Sequence, residues 1–595
     1  MNKQTTPQSM AAQVETPIPA GVNAPGFGSD VVAQTLRDLD IPYVALNPGA
    51  SYRGLHDSLV NYLGNEKPQM LLCLHEESAV AIAQGFAKVT GRAMGAIVHS
   101  NVGLMHATMA IFNAWCDRMP IVILGATGPV DAAKRRPWID WIHTARDQGA
   151  LVRGYVKWDD QPASPEAARE ALIRASVLAN AAPQGPVYIN LDAEMQEAKL
   201  PEPLPPIDIA RYQPRISSAP DPDMVKEAAA RLRDAKRPVI MAGRASRSID
   251  AWNARVALAE ALNAKVLTDI KIGATFPTDH PLHVGAPGNL LPDNDGLAAL
   301  SEADVVLSFD WIDLGGALKA AKSDAFVISA TLDHHLHNGW SMDHQSLPPT
   351  DMLISSDPDA AAIALSKEIG APAKPVTLPA APRAMARPAA SENLTVEHLA
   401  FAVRDAVGTR DVALTHLPLS WNGAWWPFRH PLDYLGSDAG GGIGGGPGIS
   451  VGAALALKGS GRLPVAICGD GDYLMGVTAL WTAAHYRIPL LMIVANNRSF
   501  FNDELHQERV ARMRNRPVEN RWIGQRISDP DIDLASMARA QGAQAYGPVH
   551  DEKELAAALQ SAIAAVEDGH VAVIDVRVEP GYAPAMTAIM TRKAD

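Results

Sequence analysis

Residues 463–500 restrict the possible fold of this chain more than any other stretch of its sequence. They read LPVAICGDGDYLMGVTALWTAAHYRIPLLMIVANNRSF. The apolar run 465–468 predicts a buried strand that ends at a GDG triplet. A helical segment follows at 476–487, and a second apolar run at 490–495 leads into an NN pair. A strand, a helix and a strand in this order predict a βαβ unit within a parallel sheet.

Polar side chains follow both predicted strands of this unit. Asp470 stands inside the GDG triplet, and Asn497 closes the NN pair. Because open parallel sheets bind ligands beyond the carboxyl ends of their strands, we expect these two side chains to lie close together. Carboxylate and amide oxygens are ligands that Mg²⁺ prefers, with a phosphate group supplying the rest. The glycines of the triplet allow such a phosphate to approach the backbone.

The spacing of the two motifs, with 24 residues between GDG and NN, resembles the thiamine diphosphate (ThDP) motif of the pyruvate decarboxylase and acetolactate synthase superfamily. The resemblance implies that Asp470, Asn497 and the backbone carbonyl of Ser499 hold Mg²⁺. It also implies that Gly469 and Gly471 lie against the diphosphate of the cofactor. An ordinary βαβ turn with an accidental NN pair is the alternative interpretation.

One position of this motif differs from the family pattern. The residue after GDG is usually a serine or an alanine near the diphosphate, and here it is Asp472. Because two negative groups repel each other, we expect the Asp472 carboxylate to turn away from the diphosphate or to support the metal ligands. Asp472 is therefore counted among the residues of the cofactor site, with a role that differs from that of the family's serine.

Alternating helix and strand patterns predict an α/β protein of three doubly wound, mostly parallel-sheet domains, separated by proline-rich linkers. By resemblance these are a pyrimidine-binding domain (25–200), a central domain (215–370) and a diphosphate-binding domain (395–580). Residues 1–24 are predicted to be a disordered tail, and residues 581–595 a C-terminal tail or a flap over the site.

Composition and charge exclude several functional classes. The formal net charge of −13 argues against a nucleic-acid-binding surface, which needs clustered positive charge. The three cysteines lie in apolar runs and are predicted to be reduced core residues. The polar N-terminus lacks the apolar centre of a signal peptide, and no apolar run has the length of a membrane span. We therefore expect a cytoplasmic protein that binds neither nucleic acid nor membranes.

A second motif, LCLHEESAVAIAQGFAKVTG, lies in the first predicted domain. In the superfamily, a glutamate at this place hydrogen-bonds the aminopyrimidine ring of ThDP and so helps the cofactor to lose its thiazolium proton. The resemblance assigns this role to Glu76; the alternative is an acid that only stabilises the helix N-terminus, which Glu77 would do equally well. In the family, the first domain of one subunit faces the third domain of another. The resemblance therefore implies a homodimer or homotetramer with sites at the subunit interface.

The glycine-rich stretch SDAGGGIGGGPGISVGAALAL precedes the GDG motif. The superfamily bends ThDP over a large apolar residue at this place, with a backbone carbonyl two residues earlier. By resemblance, Ile443 is the apolar residue and Gly441 supplies the carbonyl. A flexible loop is the alternative, although the helical pattern that follows favours a structured turn.

Several stretches, among them AIVHSNVGLMHATMAIFNAWCDRMPIVILGA and LWTAAHYRIP, are most similar to benzoylformate decarboxylase. That enzyme uses a histidine in an LHS triplet as a proton relay. The triplet VHS places His99 there, and a structural histidine at a strand end is the alternative. The serine that contacts the substrate carboxylate is replaced by Ala50, and we expect the neighbouring Ser51 to point elsewhere. Asp503 stands where some decarboxylases of the family hold a catalytic acid.

Two further groups of residues each allow two interpretations. Four arginines between 509 and 516 form either a solvated helix face or an anion site, for example for a CoA-linked substrate. Three tryptophans in LSWNGAWWPF either line a substrate pocket or belong to the core.

The residues and the resemblance together predict a ThDP- and Mg²⁺-dependent enzyme that makes or breaks a carbon–carbon bond next to a carbonyl. Decarboxylation of a 2-oxo acid is the first hypothesis. An acetolactate-synthase-like carboligase and a 2-hydroxyacyl-CoA lyase are the alternatives, so the substrate is a 2-oxo acid, a ketone or an acyl-CoA. An inactive ThDP-binding regulator is disfavoured by the complete set Glu76, Asp470 and Asn497. The sequence neither supports nor excludes FAD in the central domain, where acetolactate synthases bind it.

Overall fold

The computed structural model describes residues 11–21, 24–214, 216, 218–335, 347–371, 378, 380 and 385–582. These residues form three sheets whose strands pair in parallel. Alternate residues of one strand enter different core clusters: Val465 and Ile467 pack on one side of the third sheet, Ala466 and Cys468 on the other. Both faces of the sheet are therefore buried, which explains why its strands read as continuous apolar runs. The predicted fold class is confirmed.

The N-terminal sheet has the strand order β2-β1-β3-β4-β6-β5. The order changes direction between β1 and β3, so the loops after these strands lie side by side at one edge of the sheet. The elements are β1 (Tyr43–Leu46), β2 (Gln69–Leu72), β3 (Met94–Ile97), β4 (Ile121–Thr127), β5 (Asp159–Asp160), β6 (Pro186–Asp192), α1 (Gly28–Asp38), α2 (Arg53–Asp57), α3 (Glu76–Thr90), α4 (Ser100–Cys116), α5 (Ile139–Ile142), α6 (Pro165–Asn180) and α7 (Ala193–Glu197).

The central sheet has the order β11-β10-β9-β7-β8, with its own core on both faces. Its elements are β7 (Pro238–Ala242), β8 (Lys265–Thr268), β9 (Val305–Phe309), β10 (Phe326–Thr331), β11 (Met352–Ser355), α8 (Pro222–Asp234), α9 (Ile249–Leu262), α10 (Asn294–Glu302), α11 (Leu314–Ala321) and α12 (Pro358–Ile369).

The C-terminal sheet has the order β12-β13-β14-β16-β15, and its strands β13 and β14 end at the candidate metal and diphosphate residues. Its elements are β12 (Val412–His416), β13 (Leu463–Gly469), β14 (Leu490–Asn496), β15 (Gln544–Val549), β16 (Val571–Arg577), α13 (Val396–Val407), α14 (Gly445–Leu457), α15 (Asp470–Gly476), α16 (Ala479–His485), α17 (Phe501–Met513), α18 (Leu534–Ala540) and α19 (Glu552–Glu567).

The helical segment predicted at 476–487 differs from the structure, where two helices occupy this region. The first, α15, begins at Asp470 directly after β13, and α16 ends at His485. The sequence did not predict a helix at the GDG triplet, because glycine is a poor helix former. The earlier start places the acidic residues Asp470 and Asp472 in the first helical turn, where the helix dipole favours negative charge.

Helices α3 and α14 join the N-terminal domain to the C-terminal domain. They cross at two glycines whose backbones touch the opposite helix. A Cβ atom on Gly85 would lie 1.9 Å from the carbonyl oxygen of Ile449, and one on Gly452 would lie 1.9 Å from that of Ile82. The N-terminal and C-terminal domains of one chain are therefore fixed to each other through direct backbone contact.

The first described segment is held against two domains. Ala11 is buried, the N–H of Ala12 donates to the carbonyl of Tyr486 at 3.0 Å, and the Tyr486 hydroxyl donates to Glu15 at 2.9 Å. The disordered tail predicted for residues 1–24 therefore does not describe this part of the segment, whose long-range partners give no local sequence signal. Residues 1–10 and 583–595 lie outside the described residues. Among the described helices, none combines the length and the apolar character that a bilayer crossing requires.

Candidate active site

Four loops meet at the carboxyl ends of neighbouring strands in the N-terminal sheet. Ser51 follows β1, Glu76 follows β2, His99 follows β3, and His143 lies in the loop after β4. Because β2, β1, β3 and β4 are adjacent in this order, the sheet brings the four side chains to one edge. A serine, a carboxylate and two imidazoles at one edge can bind a polar ligand and move protons.

Glu76 is buried, with 6% of its surface exposed, and is held by a second helix. Its Oε2 lies 3.2 Å from Nδ1 of His106 in α4, whose ring stacks on that of His75 with 5.1 Å between centroids. Gly103 of α4 makes this approach possible, because a Cβ there would lie 2.8 Å from Oε1 of Glu76. The helix cap of α3 is His75, whose Nδ1 accepts the N–H of Glu77 at 3.1 Å. Glu76 is therefore free of the capping role.

His99 is bonded to Ser51 and faces a second imidazole. Its Nδ1 lies 2.9 Å from Oγ of Ser51, which also accepts the N–H of Ser100 at 3.2 Å. The expectation that Ser51 points elsewhere is therefore wrong, because the turn after β1 directs its buried hydroxyl at the histidine. The rings of His99 and His143 meet edge to face, 4.6 Å apart. Burial, and then the positive charge of His143, lower the pKa of His99, whereas Glu76 opposes this shift.

Asp470 is the centre of the second half of the site. Its Oδ1 accepts the N–H of Gly471 at 2.8 Å, while its buried Oδ2 has no hydrogen-bond partner among the described residues. Burial raises the pKa of Asp470 to about 6, although the backbone N–H groups of Arg498 and Ser499 act in the opposite direction. The carboxylate thus lies at the loop after β14, as the sequence predicts. A buried, unpaired carboxylate oxygen is costly alone and fits a divalent cation.

The other two predicted metal ligands lie in that same loop. Oδ1 of Asn497 accepts the N–H of Ser499 at 2.8 Å. The hydroxyl of Ser499 donates to Glu504 at 2.7 Å, which leaves its backbone carbonyl available as the ligand that the resemblance implies. Strands β13 and β14 pair Gly469 with Ala495, so both ends of the motif are adjacent. The donor set therefore consists of hard oxygens, as Mg²⁺ prefers.

Asp472 is buried in a separate ion pair. Its Oδ1 accepts the N–H groups of Gly444 at 2.7 Å and Gly446 at 3.2 Å, and its Oδ2 lies 3.2 Å from Nε2 of His416. Burial alone would raise the pKa of Asp472, but the charge of His416 and these N–H groups lower it. Burial alone would lower the pKa of His416, but the charge of Asp472 raises it. The carboxylate is therefore neutralised within the protein, so it does not prevent a diphosphate from binding nearby.

The glycine-rich stretch forms a structured turn against α4. The side chain of Asn113 donates to the carbonyl of Gly442 at 3.4 Å, and a Cβ on Gly440 would lie 2.3 Å from Asn113 Oδ1. Gly441 has φ of 73°, a conformation that favours glycine. The Ile443 side chain projects outward, with 43% of its surface exposed. An exposed apolar side chain on a fixed turn can support the bend of a bound cofactor.

Helix α17 carries the predicted acid Asp503 and the basic run. Asp503 is exposed, whereas its neighbour Glu504 is fully buried and bonded to Ser499 and Arg526. The sequence did not single out Glu504, because a buried acid inside a charged helix has no local signal. Arg512 pairs with Glu508 of the same helix at 2.6 Å, which favours the solvated helix face over an anion site.

The beginning of the C-terminal tail packs against α17, and the three tryptophans lie in the core. The ring of Tyr582 stacks on Phe501 of α17 with 5.8 Å between centroids. Trp421, Trp425 and Trp426 are all buried in the core of the C-terminal domain. Their core interpretation is confirmed.

Comparisons with known proteins match each of the three domains to a family model. The N-terminal, central and C-terminal domains of thiamine pyrophosphate enzymes match residues 27–151, 225–338 and 419–576. These models account for most of the chain, in the order that the sequence predicts.

Individual relatives span nearly the whole chain. Benzoylformate decarboxylase of Pseudomonas aeruginosa is 27% identical over 86% of this chain and 92% of that protein. The acetolactate synthase large subunit of Lactococcus lactis is 26% identical over 80% of this chain and 81% of that protein. The structure of a ThDP-dependent 4-hydroxybenzoylformate decarboxylase of Rhodococcus jostii RHA1 superposes with a TM-score of 0.75, at 22% identity over 94% of this chain and 100% of that chain. This last similarity shows the shared fold.

Proposed function

The chain belongs to the thiamine pyrophosphate enzyme family, and from this premise we propose that it decarboxylates a 2-oxo acid of the benzoylformate type, with Mg²⁺ as the metal. The observation that carries the proposal is the presence of two buried carboxylates, one in each of the two domains that bind the cofactor in this family. Glu76 is buried and held by His106, and Asp470 presents an unpartnered, buried oxygen beside the NN loop. The first suits proton exchange with the cofactor ring, and the second suits a metal ion.

The residues of the C-terminal domain would hold the cofactor. Asp470, Asn497 and the carbonyl of Ser499 would bind the metal, and Gly469 and Gly471 would let the diphosphate approach the backbone. Asp472 would keep the glycine-rich turn in place through its bonds to two backbone N–H groups. On that turn, Ile443 and the carbonyl of Gly441 would set the shape of the bound cofactor. ThDP supplies the nucleophilic carbon and accepts the electron pair that C–C cleavage releases.

The residues of the N-terminal domain would handle the protons. Glu76 would hold a proton against the aminopyrimidine ring. His99 has its Nδ1 engaged by Ser51, so its Nε2 is the atom that gives or takes a proton. The lowered pKa of His99 favours its neutral form near pH 7, in which Nε2 carries the proton that the residue can give. The exposed Asp503 is not part of this proposal.

A homodimer or homotetramer is part of the proposal. Large apolar side chains near both halves of the site are exposed, among them Leu74, Met105, Trp138, Trp141 and Met475. Exposed apolar groups of this size mark surfaces that a second copy of the chain would cover. Sedimentation of the purified protein tests this part, and a monomer that remains fully active would refute it.

The activity is tested with purified protein supplied with ThDP and Mg²⁺. We would follow CO₂ release from aliphatic and aromatic 2-oxo acids, with and without an added aldehyde. Release without the aldehyde, lost in Glu76→Gln, is the expected result. Release that requires the aldehyde would point to a carboligase, and no release from any acid would refute the proposal.

A further inference from the structure

Two histidine rings from different loops form a contact that nothing in the motif pattern requires. His99 ends the loop between β3 and α4, and His143 follows α5 in the loop after β4. Their ring centroids are 4.6 Å apart, with 70° between the ring planes. The contact lies at the edge of the sheet where Glu76 also lies. Whatever ligand enters this edge therefore meets two imidazoles.

The position of His143 is set by main-chain bonds on both sides of its ring. The N–H of Gly128 donates to the carbonyl of His143 at 3.1 Å. The side chain of Asn101 donates to the carbonyl of Ile142 at 3.1 Å. In the described part of the chain, the His143 imidazole itself makes no hydrogen bond. The loop is thus fixed without the imidazole, whose nitrogen atoms are left for another partner.

The bonds of Ser51 also set the donor atom of His99. Because Oγ of Ser51 accepts the N–H of Ser100, its hydroxyl hydrogen can point at Nδ1 of His99. An imidazole that accepts at Nδ1 carries its proton on Nε2. His99 therefore offers an Nε2–H donor, next to the ring of His143.

An anion that enters beside this pair would depend on imidazole and hydroxyl donors rather than on a lysine or an arginine. The groups whose charges act on His99 are His143 and Glu76, and no lysine or arginine is among them. Ala50, which stands where the family has its carboxylate-binding serine, has no hydroxyl. The hydroxyl of Thr144, directly after His143, is buried and has no hydrogen-bond partner among the described residues. The edge therefore has unused donors but no permanent cation.

We propose that His99 and His143 together bind the carboxylate of the substrate, in place of the serine that Ala50 replaces. This rests on the proposed function, which requires a carboxylate next to the reacting carbonyl. The Nε2–H of His99 donates to one oxygen of the carboxylate and an N–H of His143 donates to the other, and both bonds are charge-assisted because the acceptor is an anion. His143 is the specificity-determining residue of the site.

The test compares two unreactive ligands of the same size, in which the charged carboxylate of the first is a neutral amide in the second: 2-hydroxy-2-phenylacetate and 2-hydroxy-2-phenylacetamide. Binding to the enzyme loaded with ThDP and Mg²⁺ is measured by calorimetry. We expect the wild type to prefer the carboxylate. We expect His143→Leu to weaken carboxylate binding about tenfold or more, with little change for the amide. His143→Gln, which keeps an N–H donor, is expected to retain part of the preference.

The matched control is His56→Leu, the same change at an exposed histidine in α2, which is expected to alter neither affinity. A ¹⁵N NMR shift of the His143 ring on addition of the carboxylate gives a readout independent of turnover. Equal binding of both ligands by the wild type, no binding of either, or unchanged carboxylate binding in His143→Leu would overturn the proposal. If carboxylate selectivity is found but no 2-oxo acid releases CO₂, the proposed function fails while the carboxylate site stands.

Discussion

The buried pair of Asp472 and His416 allows the effect of a single substitution to be worked out from the structure. Each side chain is only 9% exposed. His416→Gln removes the positive charge and leaves the carboxylate with the N–H groups of Gly444 and Gly446. It also leaves Asp438 close by, a second buried carboxyl group whose pKa is raised by burial and further by Asp472.

Removing one partner of a buried ion pair costs ~3–5 kcal/mol. Because two hydrogen bonds to Asp472 survive, we expect the lower end of this range, ~3 kcal/mol of the free energy of unfolding. The double variant His416→Gln/Asp472→Asn has no unpaired charge. We therefore expect it to be more stable than His416→Gln alone, although it carries one more substitution.

The assay is urea unfolding of the cofactor-free protein at neutral pH, followed by tryptophan fluorescence. Three tryptophans lie in the core of the same domain, so the signal reports on its unfolding. Calorimetric titration with ThDP then separates a loss of stability from a loss of cofactor affinity. A loss below ~1 kcal/mol, the range of exposed ion pairs, would refute the reasoning. So would a double variant whose loss is the sum of the two single losses.

Three other predictions concern packing, pH and the metal. Gly85→Ala places a Cβ 1.9 Å from a backbone oxygen of α14, so we expect urea unfolding to show a loss of at least ~1–3 kcal/mol in the free energy of unfolding. The control is Gly26→Ala, whose Cβ makes only an ordinary contact and should change stability little. Burial lowers the pKa of His283 to about 4, below its value of ~6.5 in the unfolded chain. Between these two values the unfolded chain binds a proton that the folded protein does not. The free energy of unfolding therefore falls by ~3 kcal/mol from pH 6.5 to pH 4. His283→Asn should flatten this part of the pH profile of urea unfolding, and an unchanged profile would contradict the assignment. Asp470→Asn removes a buried carboxylate whose pKa is raised to about 6, so we expect the free energy of unfolding of the metal-free protein to rise by up to ~3 kcal/mol at pH 7. Calorimetry should show that Mg²⁺-dependent ThDP binding is lost. A loss of stability instead would show that Asp470 is already well paired.

The parts of the site that follow strand ends could be predicted from the sequence. The apolar runs of β13 and β14 are continuous because both faces of the sheet are buried, and each run ends in a polar residue. Asp470 and Asn497 were therefore placed together by topology alone. The same reasoning located Glu76 after β2 and His99 after β3.

The partners of these residues could not be predicted, because they come from distant segments and from common residue types. His416 reaches Asp472 from a neighbouring strand, and His143 reaches His99 from a loop more than forty residues later. Ser51 was expected to point away from the site, because the neighbouring sequence does not determine the direction of a short turn. Sequence spacing gives the order of strand ends, but side-chain partners depend on the three-dimensional path of the loops between them.

The histidines of the N-terminal domain indicate what kind of pocket the chain provides. His75 and His106 lie on the Glu76 side, and His99 and His143 lie on the Ser51 side. A pocket for an aromatic side chain alone would need apolar walls, whereas imidazoles offer donors that are only partly charged near neutral pH. Such donors bind the carboxylate while it is present and can release a neutral product once the carboxylate has left as CO₂ and a proton has replaced it. The placement of imidazoles around one carboxylate therefore suits a reaction in which the substrate is an anion and the product is not.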